Sequence, residues 1–208
     1  MTDPPAAAGD VHVLADGARV MIRPLVASDR EALARGFDRL SPASRRLRFF
    51  STIEALSEAQ LDYLTNVDHV NHDAVACVLI DEAGVPGDGV GVGRWIRLDD
   101  EPTKAEIAVT VLDEYQGRGI GTLLLGTLAQ RAMERGVETL FARVLWENVG
   151  WLESLRSVGA RVEADEPGVA RIEFDISVPE PPPPTLVRRV LREVATMLAH
   201  LRSSRDPT

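Results

Sequence analysis

The stretch Gln116-Gly117-Arg118-Gly119-Ile120-Gly121 constrains this chain more than any other. It joins an apolar, strand-like run at residues 105–111 to a leucine-rich run with helical spacing at residues 122–134. A strand must therefore pass into a helix through a turn in which three residues lack a Cβ, so the backbone can take conformations closed to other residues. Backbone N–H groups in such a turn gather at the helix start, where the partial positive charge favours an anion. The turn reads as a phosphate cradle. A dinucleotide fingerprint needs Gly-x-Gly-x-x-Gly, and here the third glycine comes one residue early. A Walker A loop ends in Gly-Lys-Ser/Thr, whereas the only lysine of the chain is Lys104, upstream of the strand. Both of those motifs fail, which leaves another kind of anion loop or a glycine turn that binds nothing.

Around this turn the chain alternates irregularly between short strands and helices. Residues 11–14 and 19–23 read as strands joined at Asp16-Gly17, a strong hairpin signal. Ser28 is placed to cap a helix through Glu31, Leu33 and Phe37, and Ser57 another through Leu61 and Leu64. Between them, Arg45, Arg46 and Arg48 beside Phe49-Phe50 read either as a grip for a nucleotide or partner or as a solvated face. Strands are predicted at 73–81, 89–98, 105–111, 139–145, 160–164 and 170–176. Helices are predicted at 122–134, stopping at Arg135-Gly136, and at 149–158, stopping at Gly159. This order predicts a mixed α/β (α+β) sheet with helices on both faces, not the regular alternation of a doubly wound fold.

Residues 1–10 are expected to be a flexible N-terminus and residues 11–178 one domain, since 208 residues would crowd two. Residues 179–185, with Pro181 to Pro184, read as a stiff linker. Beyond it, Val187, Val190, Leu191, Val194, Met197, Leu198 and Leu201 recur at intervals of three and four, predicting an amphipathic helix over 186–203. Its apolar stripe can dock on the domain, pair with a second copy or lie on a membrane surface, in that order of expectation.

No apolar run approaches the roughly 20 residues of a membrane span, and the start of the chain lacks the basic and apolar regions of a signal peptide, so the cytoplasm is the expected compartment. A net charge of −9 argues against nucleic acid as the main partner and suits a cationic substrate. The single cysteine, Cys77, excludes an intramolecular disulfide and falls in an apolar run where a buried thiol is expected.

The pattern Gln116-x-x-Gly119-x-Gly121 after an apolar strand resembles the acetyl-CoA pyrophosphate loop of the GNAT N-acetyltransferase superfamily. Several further stretches look like the catalytic domain of bacterial protein-lysine acetyltransferases. They are Asp16-Gly17 with Ile22-Arg23-Pro24, Leu40-Ser41-Pro42 with Arg48-Phe49-Phe50, Gly91-Val92-Gly93-Arg94, Ala105-Glu106-Ile107-Ala108-Val109, and Asn148 with Gly159. That resemblance implies a central mixed sheet splayed between its fourth and fifth strands, here residues 105–111 and 139–145, with acetyl-CoA as cosubstrate in the gap. The sequence departs from the wider superfamily at Leu155, where a tyrosine proton donor often stands, and at Ala160, where an aromatic is usual. The protein-lysine group also lacks that tyrosine. Some of its members carry a cyclic-nucleotide-binding domain ahead of the catalytic one, and none is expected in the ten residues before the first strand.

At pH 7 only about one lysine in 2,500 is a neutral nucleophile, so acylation of an amine needs a base. Alternation puts Glu106 on one strand face with Ala108 and Thr110, where small neighbours leave space for a water or an amine. Glu106 is therefore the expected general base, acting through water, and the resemblance implies a catalytic glutamate at the same position. The backbone at Val109 and Val111 is expected to pair with the pantetheine arm and support the developing oxyanion. Gln116, Gly117, Arg118, Gly119, Ile120, Gly121 and Thr122 are expected to hold the pyrophosphate, and Asn148 to hydrogen-bond the cofactor arm. Asp113 and Glu114 are expected to be structural, turned away from the loop. His69 and His72, with Asp68 and Asp73, have no clear further ligands nearby, so no metal is expected and the pair is read as shaping a loop or lining the amine entrance.

Three functions fit these readings. The first is acetyl transfer from acetyl-CoA to the ε-amino group of a protein lysine, with an acyl-CoA synthetase as the partner the resemblance suggests. The second keeps the donor but uses a small-molecule or N-terminal amine. The third is a non-catalytic acyl-CoA sensor acting through the C-terminal helix, which could also support self-association.

Overall fold

At Asp16-Gly17 the chain reverses through a turn in which Gly17 takes φ +86 and the Leu14 N–H donates to the Ala18 carbonyl at 2.8 Å. This pairs β1 (Asp10–Val13) with β2 (Arg19–Pro24). The computed structural model describes residues 9–51, 53–156 and 160–177. The linker at 179–185, the helix at 186–203 and Gly159 lie outside the described residues. After β2 come α1 (Arg30–Arg39), α2 (Pro42–Phe49) and α3 (Glu58–Thr65), then β3 (His72–Ile80), β4 (Pro86–Arg97) and β5 (Lys104–Val111). The chain continues through α4 (Ile120–Met133), β6 (Thr139–Leu145), α5 (Val149–Arg156), β7 (Arg161–Ala164) and β8 (Val169–Asp175).

The strands form one eight-stranded sheet in the order β1-β2-β3-β4-β5-β6-β8-β7. Every neighbouring pair is antiparallel except β5 and β6, which run parallel and pair only from Lys104↔Thr139 to Glu106↔Phe141. Past Glu106 the edge of β5 has no strand partner. This is the splay expected from the sequence, and the two strands are fourth and fifth when the edge strand β1 is left out of the count.

Cross-strand register sorts the sheet into two faces. Gly91, Gly93 and Trp95 of β4 stand opposite Val111, Val109 and Ile107 of β5 and look toward α4. A Cβ on Gly93 would lie 2.6 Å from Leu128 Cδ1, and one on Gly91 3.1 Å from Leu124 Cδ1, so these two glycines let the helix settle on the sheet. Leu124 and Leu128 are thereby fully buried, each contributing about 1.5–3 kcal/mol of hydrophobic stabilisation. On the opposite face, Val92 and Arg94 stand beside Thr110 and Ala108, beneath residues of α1, α2 and α3. Helices thus cover both faces, as the sequence predicts.

The caps explain where these helices begin. Ser41 accepts the Ser44 N–H at 3.1 Å with Pro42 in the first turn of α2, and Ser57 forms a reciprocal capping box with Gln60 at the start of α3. Ser28 does not cap α1. It sits inside a 3₁₀ turn, Ala27–Asp29, where Asp29 accepts the Val26 N–H at 2.9 Å and both Nη groups of Arg23 at 2.7 and 2.6 Å. A carboxylate that can also neutralise Arg23 outcompetes a hydroxyl, and the α-helix starts at Arg30.

A second carboxylate ties the sheet to α4. Asp73, with no solvent exposure, accepts from Arg131 Nε at 2.6 Å and Nη2 at 2.9 Å and contacts His69 Nδ1 at 2.7 Å. His69 has φ +57 and so shapes the loop before β3. His72 points to the other face, and among the described residues no group of three His, Cys, Asp or Glu side chains could hold a metal.

Candidate active site

Gly117 and Gly119 take φ +72 and +90, while a Cβ at either would find nothing within 4 Å. Conformation, not crowding, calls for glycine at these two positions. Gly121 has an ordinary backbone and only Val111 Cγ2 nearby, at 3.9 Å. The first loop carbonyl to be used is that of Gly119, which accepts the Leu123 N–H at 3.1 Å. None of the N–H groups of residues 117–122, Ile120 and Thr122 included, donates to a protein acceptor among the described residues. They form a collar of donors at the start of α4, the arrangement that receives phosphate oxygens.

The carboxylates beside the collar are turned away from it. Asp113 accepts the Ser41 N–H, the Ser41 hydroxyl and the Ser44 hydroxyl at 3.0, 2.8 and 2.8 Å, and Glu114 accepts from Arg39 at 2.6 Å. Burial alone would raise the Asp113 carboxyl, but the bonds from Ser41 and Ser44 outweigh it and hold the group below its usual range. Arg118 donates from Nε to Asp16 at 2.6 Å and lies over the Tyr115 ring, pinning the loop to the N-terminal hairpin. Gln116 donates from Nε2 to the Val111 carbonyl at 3.1 Å.

The free edge of β5 has a definite polarity. The Leu112 N–H donates to the Val90 carbonyl and the Leu98 N–H to the Lys104 carbonyl, both at 3.0 Å, so the even-numbered residues of β5 bond to β4. Alternation directs the backbone of Val109 and Val111 into the gap beside β6. Glu106 is the last residue paired with β6, half-buried, with its side chain on the face of Ala108 and Thr110. On the far side of the gap, Asn148 follows β6. Its N–H donates to the Leu145 carbonyl at 2.9 Å and its own carbonyl accepts the Leu152 N–H at 3.1 Å, which opens α5.

Register also places His72 across from Ile96 and hence in the row of Glu106. Burial and the neighbouring Arg94 push the His72 pKa down to about 4, so the ring is neutral and its Nε2 takes the Arg94 Nη1 contact at 3.2 Å. Leu155 is 2% exposed and packs with Val144, Leu152, Ala170 and Ile172, as a core residue and no proton donor. Cys77 is a buried thiol whose pKa burial pushes up to about 12, which leaves it protonated and unreactive.

The arginine cluster of α2 is only partly a solvated face, with Arg46 exposed and Arg45 and Arg48 half-buried. Arg45 donates to the carbonyls of Leu40, Glu54 and Asp38, Arg46 pairs with Glu147 at 2.9 Å, and Arg48 turns inward toward the sheet. Arg48 belongs to the cluster read from the sequence as a grip or a solvated face, whereas Arg94 carries no role in that reading. The available signal was an arginine between Val92 and Ile96, on the face of β4 that alternation assigns to the interior.

A sheet opened beside a donor collar, with a carboxylate at the point of divergence, is an arrangement that suits an acyltransferase. Residues 42–151 match the Acetyltransferase (GNAT) family, and the chain belongs to that family, whose acetyl donor is acetyl-CoA. It is 33% identical over 155 residues to Acetyltransferase Pat of Mycolicibacterium smegmatis, covering 74% of this chain and 45% of that protein, so it spans less than half of that relative's length. It is 37% identical over 132 residues to Acetyltransferase PA5475 of Pseudomonas aeruginosa, covering 64% of this chain and 69% of that one. The GNAT domain of S. lividans PAT superposes with TM-score 0.73 at 30% identity, over 83% of this chain and 99% of that domain. A fold likeness alone, at 16% identity and TM-score 0.59 over 78% of this chain and 98% of that one, extends to yncA of Salmonella typhimurium, solved with its cofactor acetyl-CoA. The unpaired N–H collar fits a diphosphate, and the unpartnered edge of β5 fits an amide-bearing arm.

Proposed function

We propose that this enzyme transfers the acetyl group of acetyl-CoA directly to the ε-amino group of a protein lysine. The similarity to Pat acetyltransferases and to the GNAT domain of S. lividans PAT supports a protein acceptor. The sequence resemblance points further, to an acyl-CoA synthetase as the target. Acetyl-CoA, when bound, supplies an activated thioester carbonyl. The N–H groups of residues 117–122 hold its diphosphate, with the hydroxyl of Thr122 and the Nη groups of Arg118 close by. Val109 and Val111 offer backbone hydrogen bonds to the pantetheine arm, and the Val109 N–H is placed to stabilise negative charge on the thioester oxygen. The Asn148 side chain reaches the same arm from across the gap. Glu106 accepts the amine proton through water, which makes the lysine nucleophilic at neutral pH. Cys77, buried and protonated, carries no acyl group.

One observation carries this reading: the β5 backbone opens to the gap at Val109 while the carboxylate of Glu106 stands on the adjoining face, so donor and base meet at one strand. The test is mass spectrometry of candidate proteins, acyl-CoA synthetases among them, incubated with the full chain and acetyl-CoA, with CoA release measured in parallel on small amines. Acetyl-lysine on a protein is the expected result. Turnover confined to small or N-terminal amines would overturn the lysine assignment, and binding without any turnover would favour a sensor.

A further inference from the structure

Between α1, α2, α3 and the Glu106 face of the sheet lies a cavity of about 140 Å³. Its walls are mainly apolar, with Leu33, Phe37, Leu56, Ala76 and Val92 among them. Three arginines face it, and they differ in one respect. Arg23 is neutralised by the two-pronged bond to Asp29, whereas Arg48 and Arg94 have no carboxylate within 4.0 Å among the described residues. Arg94 is 4% exposed, and only its Nη1 is engaged, on the Leu64 carbonyl at 3.1 Å and on His72. Arg48 has no hydrogen-bond partner among the described residues and lies over the Phe49 ring, 4.9 Å from its centroid.

Two cations facing one mainly apolar cavity are unfavourable unless an anion joins them, because each loses part of its hydration and they repel one another. The strain registers on both groups. Burial and the facing Arg48 bring the Arg94 pKa down to about 9, and burial lowers Arg48 as well, against a partial pull upward from Glu106. The neighbouring polar groups do not supply the missing charge. His72 is neutral, Asp29 is spent on Arg23, and Glu106 and Tyr63 pull only from a distance, making no ion pair with either guanidinium group among the described residues.

We propose that this cavity is a binding site for a small organic carboxylate, its charge received by Arg94 and Arg48 and its apolar body by the walls beneath α1. The volume sets the size of that body, since an apolar cavity of about 150 Å³ takes benzene. A ring or chain of about six carbons therefore fits, and a polypeptide segment does not. Such an occupant would lie beside Ala108 and Thr110, on the same face as Glu106. The site needs no acetyl-CoA, so it stands or falls separately from the acyl-transfer reading.

The test is calorimetry of the full chain with benzoate and hexanoate, set against the uncharged benzyl alcohol and hexanol. Charge-assisted bonds to two guanidinium groups should make each acid bind about tenfold or more tightly than its alcohol. Arg94→Met replaces the buried charge with an apolar side chain of similar length, a change buried sites tolerate, and should erase that preference while the alcohols still bind. If Arg94→Met does not fold, Arg48→Met serves the same purpose, since that side chain donates no hydrogen bond within the described protein. Equal affinity for acid and alcohol, an undiminished preference in the folded variant, or no binding of either acid to the folded wild-type chain would each overturn the proposal.

Discussion

Replacing Glu106 by glutamine keeps shape and hydrogen bonding but removes the base, and the surrounding structure lets the size of the effect be worked out. A lysine with pKa near 10.4 is neutral only about once in 2,500 at pH 7, which amounts to roughly 4.6 kcal/mol that a base must recover. The carboxylates that flank the site among the described residues are already engaged. Asp29 is committed to Arg23, Asp113 to Ser41 and Ser44, Glu114 to Arg39, and Glu101 to Lys104. The variant should therefore lose most of the advantage, with kcat/KM falling by about 10³ at pH 7, within the 10²–10⁴ range of general bases. The deficit should shrink as pH rises, because the variant gains neutral amine about tenfold per unit until the lysine pKa is reached. Acetyl-CoA affinity should stay unchanged, since the collar and the Val109–Val111 backbone are untouched. Initial rates of CoA release between pH 6.5 and 10, with calorimetry of acetyl-CoA binding, read both quantities. A pH-independent loss, or turnover equal to wild type, would refute the role of Glu106 as base.

The glycine loop makes a graded prediction: Gly119→Ala and Gly117→Ala force a left-handed backbone on alanine, costing about 1–2 kcal/mol each, and should weaken acetyl-CoA binding. Gly121→Ala meets only Val111 Cγ2 at 3.9 Å and should leave stability equal or higher by about 0.5–1 kcal/mol in thermal unfolding. Asp73→Ala should destabilise the fold by roughly 3–5 kcal/mol, because it strands Arg131 against a buried strand. Burial alone would raise the Asp73 carboxyl, but Arg131 and His69 hold it below the usual range. Its contribution is thus complete above its unfolded pKa of about 3.9 and lost as pH falls through the folded value. Acid unfolding followed by circular dichroism should therefore be less steep in Asp73→Asn than in wild type. Cys77, with its pKa near 12, should resist iodoacetamide in the folded chain at pH 8, and modification there with loss of activity would contradict its burial.

Much of the donor side of this site was already legible along the chain. Residues 105–111 alternate, glycines follow, and a leucine-rich helix begins, all of which are local properties: left-handed backbone at 117 and 119 and period-two side chains need no distant partner. The same locality puts Glu106, Ala108 and Thr110 on one face and makes the turn at Asp16-Gly17 and the cap at Ser57 readable from the chain. The helix start near Ser28 is not, since the choice between it and Asp29 depends on Arg23, which alternation turns toward the same face.

The rest required the three-dimensional fold. That Asp73 faces Arg131, 58 residues away, that Arg118 faces Asp16, 102 residues away, and that Arg48 and Arg94 share one cavity without a counter-ion are consequences of chain segments meeting in space. Backbone conformation and hydrophobic period are written into neighbouring residues, because sterics and alternation act over a few bonds. Charge partnership and burial act through space, so a sequence can supply an arginine while only the packed structure decides whether it meets a carboxylate, a carbonyl or a cavity wall.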